Sequence, residues 1–163
     1  MVNLGSTSVN IISDGTYLRD GGNVFGQIPK SQWEMLLKTD RKNRVRLGLN
    51  CLLIQSPEGN ILVDTGAGAK QPEKLKEQYG LNGNKLLKGL KNLGVTARDV
   101  DIVIQTNLHF DHAGGNLELK RKTDCTILGP SMDQQRIPGI DVAIEHQEEF
   151  KFGNHQVVCY HTP

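Results

Sequence analysis

Residues 106–115, TNLHFDHAGG, hold two imidazoles and one carboxylate within four positions of one another. The apolar run 102–104 precedes them, and β-branched residues in such a run are typical of a buried strand. A glycine pair, Gly114 and Gly115, ends the segment and would let the backbone approach a bound ion closely. We therefore predict a metal-binding loop at the end of a buried strand.

Three side chains of this segment, His109, Asp111 and His112, offer two nitrogens and one oxygen. This ligand set suits Zn²⁺, and it also suits iron or manganese. Spacing alone leaves a second interpretation open, in which the same side chains are solvated on a polar surface loop. The apolar run before the loop and the glycines after it favour the metal site.

Composition excludes several other classes of function. Nineteen Lys and Arg against eighteen Asp and Glu give a net charge of +1, and no basic stripe with interleaved aromatics occurs, so we expect no nucleic-acid partner. No apolar run approaches the roughly 18–20 residues that span a bilayer, so we expect no membrane partner. Three cysteines without a CxxC pair, and no leader pattern at the N-terminus, predict a cytoplasmic protein.

The order of the remaining patterns is that of an α/β chain. Residues 45–54 alternate as a strand, 56–60 form a turn, and 61–63 return as the second strand of a hairpin. Helical patterns follow around 72–79 and 86–93, before the strand at 102–104. Near the N-terminus, Asp14-Gly15 and residues 20–22 are interpreted as turns.

The same residues resemble the metallo-β-lactamase-fold hydrolases. Residues 106–115 are similar to the T-H-x-H-x-D-H-x-G-G signature of that superfamily, and ILVDTG at 61–66 resembles its strand-end motif. Residues 25–49 are closer to lactonase-like members and 137–155 to glyoxalase II-like members, while 160–163 resemble the start of a T-P-G-H-T segment. The resemblance implies an α/β, metallo-β-lactamase-like αββα sandwich with a mixed sheet and a strand-end metal loop. It also implies that residues 1–163 form one incomplete domain. This domain would be either the N-terminal part of the fold or a truncated version of it.

The resemblance also implies roles for individual residues. His109 would bind a first metal ion, and Asp111 and His112 a second, so that the cofactor would be one or two zinc ions. Asp111 would orient a metal-activated water and move its proton. Asp64 would hydrogen-bond a ligand histidine from behind. The expected reaction is hydrolysis of a small ester, lactone or thioester.

The chain departs from the superfamily pattern in two places, which leaves its competence as an enzyme open. Asn107 stands where the family has histidine, and an amide oxygen is a weak zinc ligand, so the first metal position is expected to be depleted. The sequence ends at Pro163, before the family's remaining ligands. The alternative is therefore a truncated or degenerate domain without catalysis that acts in self-association. A homo-oligomer in which two chains complete one site lies between these two hypotheses.

Overall fold

The computed structural model describes residues 1–162, which form one large mixed sheet, a separate hairpin and short helices. The strands are β1 (Val2–Leu4), β2 (Thr7–Asp20), β3 (Arg44–Ser56), β4 (Gly59–Val63), β5 (Ile102–Ile104), β6 (Thr126–Pro130), β7 (Val142–Ile144), β8 (Glu149–Phe152) and β9 (His155–Val158). The helices are α1 (Gly21–Phe25), α2 (Lys30–Trp33), α3 (Glu73–Tyr79), α4 (Leu86–Asn92), α5 (Phe110–Ala113) and α6 (Asn116–Lys120). Two 3₁₀ turns span Ala97–Asp99 and Ser131–Asp133.

The seven strands of the large sheet lie side by side in the order in which they occur along the chain. Strands β1 to β4 pair antiparallel, and β4 to β7 pair parallel. The parallel pairs need crossovers, and α3 with α4 supplies the first while α5 with α6 supplies the second. The predicted α/β order and the predicted β3–β4 hairpin are both confirmed, and β8 and β9 form the separate hairpin.

The main core lies between the sheet and the helices that cover one of its faces. Leu53, Leu62, Val103 and Ile127 of four neighbouring strands are fully buried there, together with Leu90 of α4. Burying a side chain of this size stabilises a fold by about 1.5–3 kcal/mol. This core fixes the carboxyl ends of β4 and β5, where the predicted metal loop begins.

The opposite face of the sheet carries a row of apolar side chains. Ile11, Leu52, Val63 and Ile104 lie directly opposite one another on β2, β3, β4 and β5. Ile11 is 74% exposed, whereas the other three are partly buried.

In the part of the chain that the structure describes, no helix has the length and apolar character needed to cross a membrane.

Strand β2 contains a bulge at the position where the sequence predicts a turn. Ser13 pairs with Asn50 and Gly15 pairs with Leu49, so Asp14 is an extra residue without a partner on β3. The prediction of a turn at Asp14-Gly15 is therefore wrong, because an Asp-Gly pair also suits a bulge. The predicted turn at residues 20–22 is wrong as well, since Asp20 instead caps α1.

The carboxylate of Asp14, which is only 1% exposed, accepts four backbone hydrogen bonds. The donors are the N–H groups of Ala67 and Gly68, at 3.1 and 3.2 Å, and of Lys85 and Leu86, at 2.9 and 3.0 Å. One side chain thereby joins the bulge of β2, the loop that follows β4 and the start of α4. The charge tolerates burial because all of these donors point at it.

We expect Asp14→Ala to lower the free energy of unfolding by about 3 kcal/mol or more. Each buried N–H group that loses its acceptor costs about 1–3 kcal/mol, and this substitution removes the acceptor of three of them, since Lys85 N–H also donates to the Asp14 carbonyl. Urea unfolding followed by circular dichroism measures the change. The control is Asp99→Ala, which removes a fully exposed capping carboxylate of a 3₁₀ turn and should cost far less. Equal losses in the two variants would contradict the role assigned to Asp14.

Candidate metal centre

The loop that carries the predicted ligands leaves the sheet at the end of β5 and runs into α5. Backbone hydrogen bonds join it to the loop after β4: Thr65 N–H donates to the His112 carbonyl at 2.7 Å, and Gly114 N–H donates to the Gly66 carbonyl at 3.0 Å. The two segments are therefore joined directly, and residues of both contribute to the candidate site.

The glycine pair of the loop packs closely against the loop after β4. A Cβ atom on Gly115 would collide with the Thr65 carbonyl, and a Cβ on Gly114 would collide with the Ala67 carbonyl. These glycines therefore permit close packing against the loop after β4, and their predicted role beside a metal ion stays a prediction. That packing sets the position of His112.

Asp64 contacts the Nδ1 side of the His112 ring. It follows β4 directly, is 6% exposed, and has a left-handed backbone with φ of 62°. Its Oδ1 accepts the Thr106 N–H at 2.9 Å, and its Oδ2 lies 2.7 Å from His112 Nδ1. A carboxylate at that distance takes the proton-bearing nitrogen, which leaves His112 Nε2 with its lone pair free for a metal.

Asp111 faces that free nitrogen. Its Oδ2 lies 3.7 Å from His112 Nε2, and its side chain is 13% exposed. Two ligands of one tetrahedral zinc ion, each at the usual bond length, lie roughly 3.3 Å apart. The spacing of the carboxylate and the imidazole is therefore close to that of two ligands of one ion, and these two residue types fit zinc.

Charges around the pair shift two pKa values. The hydrogen bond to Asp64 is the main cause that raises the pKa of His112; the negative charges of Asp64 and Asp111 act in the same direction, and burial opposes them. Burial and the Asp111 carboxylate also raise the pKa of Tyr17. The Tyr17 hydroxyl therefore keeps its proton at neutral pH and donates it to Asp111 Oδ2 at 2.8 Å.

Asn107 and His109 form a second group. The Asn107 amide oxygen accepts the His109 backbone N–H at 2.9 Å and lies 3.0 Å from His109 Nδ1. The amide oxygen is thus bound within its own loop, and it leaves His109 Nε2 free. Among residues 1–162, no three His, Cys, Asp or Glu side chains are grouped to hold a metal ion. The structure brings Asp111 and His112 together, and it places His109 with Asn107 instead.

A cavity of about 440 Å³ opens beside this loop. Thr106 and Asn107 line part of it, so it adjoins the loop, whereas His109, Asp111 and His112 are not among its lining residues. Its walls are mainly apolar and include Ile104, Leu128, Ile144, Phe150, Met132 and Tyr160. The cavity also reaches Thr162, whereas Pro163 of the predicted T-P-G-H-T resemblance lies outside the described residues.

Tyr17 and Asp14 are site-supporting residues that the sequence analysis missed. Tyr17 lies on the helix-covered side of β2 only because the bulge at Asp14 shifts the alternation of the strand. A glycine inside an otherwise regular strand pattern indicates a bulge, and Gly15 carried that signal.

The fold and the site together define the class of protein. Residues 44–150, more than half of the chain, match the sequence model of the Metallo-beta-lactamase superfamily. The chain belongs to this superfamily, which confirms the resemblance noted in its motifs.

One sequence relative and two solved structures illustrate what the chain is similar to. A hydroxyacylglutathione hydrolase of Methylococcus capsulatus is 56% identical over 52 residues, which are 32% of this chain and 20% of the relative. A probable metal-dependent hydrolase from Staphylococcus aureus superposes with a TM-score of 0.77 at 22% identity, covering 92% of this chain and 62% of its own. AidC, a dizinc quorum-quenching lactonase, gives 0.62 at 22% identity, covering 82% and 45%. The chain spans less than two thirds of each relative's length, and at 22% identity the two structures establish the fold.

We expect the pKa of His112 in the metal-free protein to fall when Asp64 is replaced by Asn. The lost hydrogen bond is the largest cause of the raised value, so Asp111→Asn should produce a smaller decrease. Titration of the His112 ring by NMR in both variants measures the difference.

The same shift gives a pH dependence of stability. Because the folded chain has the higher pKa, the imidazolium contributes its full stability below the ordinary value of 6.5. That stability is lost as the pH rises through the folded-state pKa. If the pKa of His112 were the same in the metal-free wild type and in metal-free Asp64→Asn, the assigned hydrogen bond would be contradicted.

Proposed function

We propose that this chain binds a zinc ion between Asp111 and His112 and belongs to a hydrolase of small esters, lactones or thioesters. One observation carries the proposal: Asp64 fixes the His112 ring so that its free Nε2 faces the Asp111 carboxylate. This is the arrangement of a ligating histidine, whose other nitrogen is normally held by a carboxylate. Iron or manganese would accept the same donors. We also propose that residues 1–163 act as one metallo-β-lactamase-like domain.

Each residue of the proposed site has a distinct task. A zinc ion at the pair would supply Lewis acidity and lower the pKa of water toward 7. Asp111 would orient the attacking water and accept its proton. Asp64 would keep the His112 ring in place and make its Nε2 a better donor. His109 would bind another ion, at the position called the first above. Asn107 would contribute through the hydrogen bond that orients the His109 ring.

The substrate class rests on the cavity and on the relatives. A volume of about 440 Å³ with mainly apolar walls suits the acyl part of a small ester, lactone or thioester. The matched relatives include proteins named as a hydroxyacylglutathione hydrolase and a lactonase, whose names point to a thioester and a lactone.

The second candidate is a domain without catalysis that acts in self-association. Two observations favour it. Within residues 1–162 the site offers a pair of grouped ligands and not a triad. The apolar row on the far face of the sheet also includes the exposed Ile11. Light scattering with and without zinc tests it, because a monomer under both conditions excludes self-association and excludes a site shared between two chains.

We expect the purified, zinc-loaded chain to retain about one equivalent of zinc, and His112→Ala and Asp111→Ala to retain little. Asp64→Ala should weaken zinc binding by about 10–100-fold, the usual effect of removing a group that orients a ligand. Metal analysis after gel filtration measures the zinc that each protein retains. Assays with thioester and lactone substrates then measure hydrolysis by the same proteins. The control is His155→Ala, whose side chain is 62% exposed on β9 and which should behave as wild type. A folded wild type that holds no metal would favour the second candidate.

Removing the metal should also destabilise the chain. An ion that binds only the folded state, present at 100 times its dissociation constant, stabilises it by about 2.7 kcal/mol. We therefore expect EDTA to lower the melting temperature of the wild type while leaving that of His112→Ala unchanged. Calorimetry of both proteins makes the comparison, and an equal shift in the two would place the metal elsewhere.

A further inference from the structure

The Tyr17 hydroxyl reaches Asp111 from a strand 94 residues earlier in the chain. It donates a hydrogen bond to Oδ2 at 2.8 Å, and this is the same oxygen that lies 3.7 Å from His112 Nε2. The carboxylate oxygen of the proposed metal position therefore sits between a phenol and an imidazole. Because the phenol is a donor, it favours the side-chain orientation in which Oδ2 faces the histidine.

The Tyr17 ring is held firmly enough to transmit this orientation. It is 6% exposed and packs edge-on against Phe110, with ring centroids 5.9 Å apart and planes at 82°. Tyr79 packs on the other side of the same cluster, 5.1 Å from Phe110. Leu49 and Ala67 complete its buried part. An edge-to-face ring in such a cluster cannot swing without losing these contacts.

The bulge of β2 aims this side chain. Before the bulge, Ile12 lies opposite Cys51 on the helix-covered face; after it, Tyr17 lies opposite Leu47 on that same face. If Asp14 instead paired with Leu49 as in a regular strand, Tyr17 would lie opposite Arg46 on the far face with Ile11, which is 74% exposed. The bulge, which leaves Asp14 unpaired, therefore brings the phenol to Asp111.

We propose that Tyr17 is a positioning residue for the metal site, which fixes the Asp111 carboxylate through a hydrogen bond to Oδ2. The proposal rests on the proposed function, in which Asp111 binds the metal. A group of this kind, bonded to a ligating carboxylate and not to the ion, raises metal affinity by holding the ligand ready for binding. Its removal typically weakens binding by about 10–100-fold.

Tyr17→Phe and Tyr79→Phe form a matched pair that tests this role in the full chain. Both substitutions keep the aromatic ring and its packing, but only the first removes the hydrogen bond to Asp111. Competition with a chromophoric chelator measures zinc affinity. We expect it to be about 10–100-fold weaker in Tyr17→Phe and unchanged in Tyr79→Phe. In the Asp111→Asn background, Tyr17→Phe should cause little further loss.

A spectroscopic readout separates positioning from a general structural role. With Co²⁺ in place of zinc, the visible absorption bands report the geometry of the ligands. We expect these bands to change in Tyr17→Phe and to match wild type in Tyr79→Phe. If wild type binds zinc but Tyr17→Phe matches it in affinity and spectrum, the role of Tyr17 is overturned and the proposed function stands. If wild type itself binds no zinc, both proposals fail.

Discussion

The buried carboxylate of Asp14 is the constraint on which the geometry of the site depends. A charge at that depth is tolerated only because four backbone N–H groups converge on it. Those donors belong to the loop after β4 and to the start of α4, so neither segment can shift without exposing an unpaired donor or the charge. The loop after β4 in turn packs on the glycine pair beside His112. A side chain outside the site thus fixes the backbone that carries it.

Asp64 shows how strain and function are linked at this position. A left-handed backbone at a non-glycine residue costs of order 1–3 kcal/mol, and it persists only where neighbouring contacts hold it. Here the contacts are hydrogen bonds from Thr106 and from the His112 ring, and both partners lie on the loop after β5. The strain at Asp64 turns its carboxylate away from the direction of β4 and toward the neighbouring loop. One backbone conformation therefore links two parallel strand ends.

Much of the sheet could be predicted from the sequence, because alternation in β3 and β4 and the apolar run of β5 are local patterns. The bulge could not, since an Asp-Gly pair suits a turn as well, and the choice depends on pairing with β3, far along the chain. The face of the sheet on which Tyr17 lies could not be predicted either, because it depends on the bulge. The role expected for Asp64 came from the superfamily resemblance, and spacing alone did not supply it. The packing of Gly115 against the Thr65 carbonyl could not be predicted either, because it depends on how two distant loops meet in the fold.

The two histidines of the loop differ in the group that contacts their Nδ1 atoms, and this difference would set their order as ligands of the proposed site. His112 faces the Asp64 carboxylate, whose hydrogen bond and, to a smaller extent, negative charge raise the pKa of the imidazole. His109 faces the neutral amide oxygen of Asn107. An anionic partner strengthens a ligating imidazole more than a neutral one does. Because His112 also has Asp111 beside its free nitrogen, the proposed site would fill there first, and occupancy at His109 would depend on further ligands.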